Sequence, residues 1–197
     1  MRRAVTATSS PSQGWHPWHL PAMRAVPALV VGLPLPFIQL HSPVVGLIAL
    51  VVLLAGSAVA LWLGRSLVPA EAGRWPMQSA ILTAVLALVA LAALLVPSEL
   101  TLGLTVAIWG IGAGAIELAG WWRMRAATDQ RTLRLVRDWR AVGIFTILLG
   151  LVFLVVRDAV TLTGLLGAYA VIVGVYHALA AVSARPARTT TSERSNA

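Results

Sequence analysis

The chain has no cysteine and no lysine among its 197 residues, and only seven acidic residues. Without cysteine it forms no disulfide, carries no thiol nucleophile and offers no thiolate to a metal, although this leaves the compartment open. Charged residues make up only 11% of the sequence, against 58% apolar residues and a mean hydropathy of +0.83. That balance lies outside the range of soluble domains, because a water-soluble chain of this length could not hide so much apolar surface.

What the sequence does have is long apolar runs punctuated by arginine. The 15 basic residues are all arginine and give a formal net charge of +8. They gather at the ends of apolar stretches, which points to membrane topology and anionic lipid head groups. Nucleic acid is excluded as a partner, since no soluble module exists to carry a basic face. The richest cluster is residues 123–140, where Arg123, Arg125, Arg131, Arg134, Arg137 and Arg140 face only Asp129 and Asp138. These six arginines are the expected lipid head-group contacts. Leu133, Val136 and Arg140 fall near one helical face and Arg131, Arg134 and Asp138 on another, which suggests a short amphipathic helix at the membrane surface, with Trp139 at the interface.

Taken in order, residues 1–23 read as a disordered or interfacial tail. Its GWHPWHL stretch (Trp15, His16, Trp18, His19) suits head-group contact better than a metal site or an aromatic cage. The arginines at 2 and 3 lie far from the first apolar run, so a cleaved signal peptide is not expected. Residues 24–183 read as one membrane domain of three helical hairpins, at about 25–64, 76–122 and 140–182, with a basic linker at 123–139. The first helix, about 25–40, is short for a span and broken by Pro27, Pro34 and Pro36; the expectation is a kinked transmembrane helix, the alternative a re-entrant segment. Gly56, Ala60 and Gly64 form a small-residue stripe in the second helix. Gly110 and Gly114 make a GxxxG match in the fourth, and Gly174 lies in the sixth; all six are expected helix-packing positions. Residues 184–197 read as a disordered tail.

Charge fixes the expected orientation. With six crossings and both termini cytoplasmic, 14 of the 15 arginines lie inside and only Arg157 outside. Five of the eight tryptophans (62, 75, 121, 122, 139) then fall at cytoplasmic helix ends, as an aromatic belt should. The expected fold is therefore all-α and integral to the plasma (inner) membrane.

Shifting the chain by 60 residues lays the second hairpin on the third without a gap. Pro97-Ser98 meets Arg157-Asp158, Thr101-Leu102 meets Thr161-Leu162, and Gly114 meets Gly174. The first hairpin fits more loosely, with Pro43 at the turn and Gly56 in the following helix. Repeated hairpins can pack around a common axis, where a single hairpin cannot satisfy its own surface. The segments RAVGIFTILLGLVFLVV and LLGAYAVIVGVYHALAAVSAR, and more loosely residues 82–125, resemble the HdeD-like acid-resistance membrane proteins. The likeness covers roughly residues 76–185, and the proline-broken first helix departs from the pattern. The resemblance implies an integral membrane protein linked to acid or other stress, with no catalytic residues to carry over.

An enzyme site is hard to assemble from these residues. No metal-ligand spacing, nucleophile elbow or phosphate-cradling loop occurs, and no cofactor is expected. Glu117 and His177 are the exception: the 60-residue shift superposes them, each three residues after its matched glycine. Ionisable groups at such depth are costly and face protein or water. One reading has both side chains snorkel to the nearby cytoplasmic surface. The other makes them a candidate intramembrane polar pair, charged only in a window between protonation of the carboxylate and deprotonation of the imidazole. His177 is the expected partner of Glu117, ahead of Arg65 or Arg140. The expected function is a small non-enzymatic membrane protein in stress resistance. The alternatives are a transporter or proton-conducting pore, and a membrane subunit recruiting a partner through the arginine linker; the expected macromolecular partner is a second copy or another membrane protein.

A chain without cysteine permits a clean topology test. Ser42, Ser98 and Asp158, each changed to Cys, should react with impermeant thiol reagents from outside intact cells. Thr128→Cys should react only after permeabilisation, and its labelling from outside would rule out the six-crossing topology.

Overall fold

The computed structural model describes residues 18–68, 73–126 and 130–184. Six α-helices account for most of them: α1 (His19–Gly32), α2 (Pro43–Gly64), α3 (Arg74–Ala93), α4 (Glu99–Met124), α5 (Gln130–Val155) and α6 (Ala159–Ser183). Short 3₁₀ turns follow α1 at Leu35–Phe37 and α2 at Arg65–Leu67, and no strand occurs among the described residues. All six helices are long and apolar enough to cross a membrane, α1 together with its 3₁₀ extension.

The helices that return from the arginine-poor end begin on side-chain caps. Ser42 accepts from the Val45 amide, Ser98 forms a reciprocal capping box with Thr101, and Asp158 accepts from the Thr161 amide at 2.8 Å. Each cap satisfies an amide that the first turn leaves without an intrahelical partner. The matched Thr101 and Thr161 thus share one local task. The Thr161 backbone bond also holds the exposed Asp158 carboxyl below its usual range.

Packing closes the helices into a ring. α1 lies against α2 and α6, α2 against α3, α3 against α4, and α4 against α5, while α2, α4 and α6 meet in the centre. The most extensive contacts join α4 to α5, α1 to α6 and α2 to α3, all between different hairpins rather than within one. In lipid no hydrophobic force draws helices together, so close van der Waals approach must. Glycine supplies it. A methyl at Gly114 would lie 2.6 Å from the Gly143 carbonyl oxygen, and one at Gly110 would lie 2.7 Å from that of Thr146. Gly143 and Gly150 of α5 meet α4 in return, so backbone rests on backbone. Gly56 meets Pro27 and Gly64 meets Leu20, both on α1, with Ala60 buried between them; Gly174 meets Leu29.

Several boundaries differ from the sequence reading. The first helix starts at His19 rather than about 25, so His19 to Met23 belong to it, with Trp18 as its N-cap, and not to a tail; the rest of that tail, 1–17, lies outside the described residues. Pro27 sits within α1, and Pro34 and Pro36 fall where the α-helix gives way to the 3₁₀ turn. That turn needs fewer of the hydrogen bonds that proline removes. The basic linker 123–139 is mostly helix, because α4 runs to Met124 and α5 begins at Gln130. The expected surface helix is therefore the first turns of α5, a single helix about 39 Å long. Residues 127–129 and the side chains of Arg131 and Arg134 lie outside the described residues, as does the tail from 185. Arg123, Arg125, Arg137 and Arg140 are exposed.

Trp139, expected at the interface, is turned into the bundle. It is 3% exposed and packs with Leu20 and Val68, with Trp75, Trp121 and Met124 around them. Arginines stack on the outer tryptophans of the same end: Arg65 on Trp62 at 3.8 Å and Arg125 on Trp122 at 3.6 Å. The other end is filled by leucine. Leu47, Leu50 and Leu54 of α2, Leu102 and Val106 of α4, and Leu162 and Leu166 of α6 are fully buried around the centre.

The glycine contacts give a paired prediction. Gly114→Ala drives a methyl into the α5 backbone and should cost about 1–3 kcal/mol, the usual range for overpacking. Gly164→Ala meets nothing within 4 Å, and its better helix propensity should leave stability unchanged or raised by up to about 1 kcal/mol. Thermal unfolding in detergent separates the two.

Candidate functional site

Between the tryptophan cluster and the leucine plug lies a cavity of about 50 Å³. The three central helices line it with the same positions, counted from each first residue (Pro43, Glu99, Ala159). Leu53, Trp109 and Tyr169 are the eleventh residues, Ser57, Ala113 and Val173 the fifteenth, and Leu61, Glu117 and His177 the nineteenth; all nine border the cavity. The peripheral helices add Arg24 and Ala28 from α1, Ser79 and Thr83 from α3, and Val142 from α5. Nearer the plug, the fourth and eighth residues are apolar or glycine (Gly46 and Leu50, Leu102 and Val106, Leu162 and Leu166). The inner face thus changes from leucine to polar and small residues along its length.

The charged centre of this cavity is an ion pair between Arg24 Nη2 and Glu117 Oε1. Both side chains are largely buried, 14% and 11% exposed. Arg24 lies in the second turn of α1, and Glu117 lies seven residues, about 10 Å, from the end of α4. The pairing joins the first hairpin to the second. A carboxylate at that depth is costly alone, and a guanidinium is the counter-charge that satisfies it with directed hydrogen bonds.

His177 is not the partner that the sequence suggested. It is 3% exposed and lines the same cavity, but no hydrogen bond joins it to Glu117 among the described residues. Its ring instead meets Tyr176 edge-on at 5.7 Å. The partner was missed because α1 was expected to start at 25, which left Arg24 just outside the span. A usable signal existed: Leu20, Arg24 and Ala28 recur every fourth residue and share one helical face.

Two hydrogen-bonded side-chain contacts flank the pair. Thr146 Oγ1 donates to the Val142 carbonyl at 2.7 Å, which leaves the Tyr169 hydroxyl to donate to Thr146 at 2.8 Å. Tyr176 donates to Asp138 at 2.8 Å and ties α6 to α5. Trp109 meets the edge of Tyr169 at 5.7 Å, yet its indole nitrogen is buried with no hydrogen-bond partner. A second, smaller cavity of about 10 Å³ lies on the tryptophan side of the ion pair. Leu20, Arg24, Trp75, Ser79, Glu117 and Trp139 border it, and the Trp75 indole nitrogen is likewise buried without a partner. Among the described residues no cluster of three or more His, Asp or Glu could hold a metal ion. Comparison with known proteins found no matching family model, no matching curated protein and no matching solved structure.

The geometry predicts an asymmetric pattern of coupling. Arg24→Gln or Glu117→Gln should each destabilise by about 3–5 kcal/mol, because each leaves a buried charge uncompensated. The double change should recover at least about 1 kcal/mol of the summed loss, whereas Glu117→Gln with His177→Gln should show a smaller coupling. Additivity of Arg24→Gln and Glu117→Gln within about 0.5 kcal/mol would mean that the pair does not hold the bundle together.

Proposed function

We propose that this chain is a non-enzymatic, six-span membrane protein that serves acid resistance, with the Arg24–Glu117 pair as its acid-responsive latch. The observation that carries this reading is the placement of one ion pair and one histidine, from three different helices, on the walls of one cavity among the helices. Arginine keeps its charge at every relevant pH, whereas the carboxylate does not. Acid that protonates Glu117 removes the counter-charge of Arg24 and gives α1 and α4 less reason to stay together. Protonation of His177 in the same cavity adds repulsion in the same direction.

The reading places the protein in the plasma membrane with both termini and the arginine-rich end in the cytoplasm, in keeping with the excess of arginine there. It also takes the three hairpins as pseudo-equivalent units around the cavity. Counted from their caps, the offset is 56 residues from Ser42 to Ser98 and 60 from Ser98 to Asp158. The exposed arginines of the α4–α5 connection then meet anionic lipid, and a second copy or another membrane protein remains the macromolecular partner of this reading. The HdeD-like resemblance supplies the link to acid. A static pore fits less well, since the buried leucines of α2, α4 and α6 leave no polar route past the cavity.

The test is survival of bacterial cells producing the wild type, Glu117→Gln or Arg24→Gln at matched membrane levels after an acid challenge. Protection should be lost in both variants, and equal protection by all three overturns the latch. Proteoliposomes holding the wild type should show no proton flux; a flux abolished by Glu117→Gln would favour the pore instead.

A further inference from the structure

The two cavities beside the ion pair hold more hydrogen-bond donors than acceptors. Trp109 lines the larger and Trp75 the smaller, and both indole nitrogens are buried and unpartnered. An indole N–H only donates, so each requires an acceptor that the chain does not supply. Arg24, between the cavities, is also a donor-only group, while the hydroxyls of Ser57, Ser79 and Thr83 can turn either way. The one acceptor-only side chain on these walls is Glu117, which Arg24 already engages. What fills the larger cavity must therefore accept hydrogen bonds.

Size and charge narrow the choice. A volume of about 50 Å³ holds about three waters, far below the roughly 300–1,000 Å³ of ordinary small-molecule pockets. Nucleotides, sugars and amino acids are excluded; water and a monatomic anion are not. With Glu117 ionised the ion pair is neutral, and a second anion would meet the carboxylate at close range in a weakly screening interior. With Glu117 uncharged, the same walls present a buried guanidinium, an indole donor and several hydroxyls with no counter-charge.

We propose that the larger cavity is a small-anion site, which takes a halide ion beside Arg24 and Trp109 when Glu117 is uncharged. Its dependence on acid rests on the latch reading above, whereas the site itself rests on the unpartnered donors and the cavity. The ionisable surroundings act in one direction. α1 contributes Arg24; α2 and α3 contribute no ionisable group to the wall; α4 contributes Glu117. From α5 comes Asp138, already bonded to Tyr176, and from α6 come Tyr169, bonded to Thr146, and His177. A proton on either Glu117 or His177 makes the cavity more positive.

The experiment is thermal unfolding of the full-length protein in detergent, in sodium bromide against sodium gluconate at equal concentration. Glu117→Gln should melt a few degrees higher in bromide at any pH, because a ligand of the folded state stabilises it. The wild type should show that shift increasingly as the pH is lowered and lose it as the pH is raised, since the carboxylate must take up its proton for the anion to bind. Proton and halide then enter together, so the bromide needed for half the shift should rise by up to about tenfold per pH unit on the alkaline side. Arg24→Gln and Trp109→Phe should abolish or weaken the shift, and bromide quenching of fluorescence from the cavity tryptophan should vanish in Trp109→Phe. The proposal is overturned if Glu117→Gln melts identically in both salts. Where that variant does not fold, the same result for the wild type at the lowest pH at which it stays folded overturns it. A shift that survives in both Arg24→Gln and Trp109→Phe belongs to the arginine surface and overturns it equally. A bromide shift in Glu117→Gln beside a wild type indifferent to pH leaves the anion site standing and removes the acid dependence.

Discussion

A guanidinium and a carboxylate held inside an apolar helical bundle constrain everything near them. Neither Arg24 nor Glu117 can be left alone at that depth, since an uncompensated buried charge costs several kcal/mol. The pair therefore specifies that α1 and α4, helices of different hairpins, stand at one relative height and rotation. Few other contacts in this protein are so specific. Most of the interior is leucine, alanine and valine, which tolerate a shift of one turn at modest cost. A buried ion pair is a poor source of net stability but a good source of register.

Close packing gives the pair its setting. Glycines of α4 and α5 bring two backbones together, and glycines of α2 and α6 admit Pro27 and Leu29 of α1. The peripheral helices thereby come near enough for side chains such as Arg24 and Val142 to reach the centre. The cavity then follows from side-chain volume. Ser57 and Ala113 are small where a leucine would close the gap, whereas Leu102, Val106, Leu162 and Leu166 fill the corresponding space nearer the other end. One half of the bundle is thus solid and the other slightly hollow and polar. That asymmetry favours a site that binds or responds over one that conducts.

Reading the chain as a string recovered the elements better than their meeting places. The six apolar segments, the turns capped by Ser42, Ser98 and Asp158, and the small residues at close helix contacts were visible because hydropathy, turn residues and glycine spacing are local quantities. Glu117 and His177 stood out for the same reason, as ionisable groups within apolar runs, and both do border one cavity. The boundary of α1 was misjudged because three prolines and a polar preceding stretch argue against a helix, while burial against α2 and α6 argues for it. Local propensity lost to tertiary packing there. The linker was read as a separate surface helix because its arginines interrupt the apolar run, although arginine is a good helix former and α5 carries that stretch into the following span as one continuous helix.

The sequence by itself determined that this chain has six helices long and apolar enough to cross a membrane, and which ends of them carry the arginines. Those features depend on composition and on spacing along the chain. Only the tertiary structure decided that Arg24, and not His177, holds Glu117, that Trp139 is buried, and that Trp75 and Trp109 have indole donors to spare. The partner of a buried charge is fixed by the rotation and height of separate helices. Glycine contacts many residues away set both, and no pattern within a single helix records them.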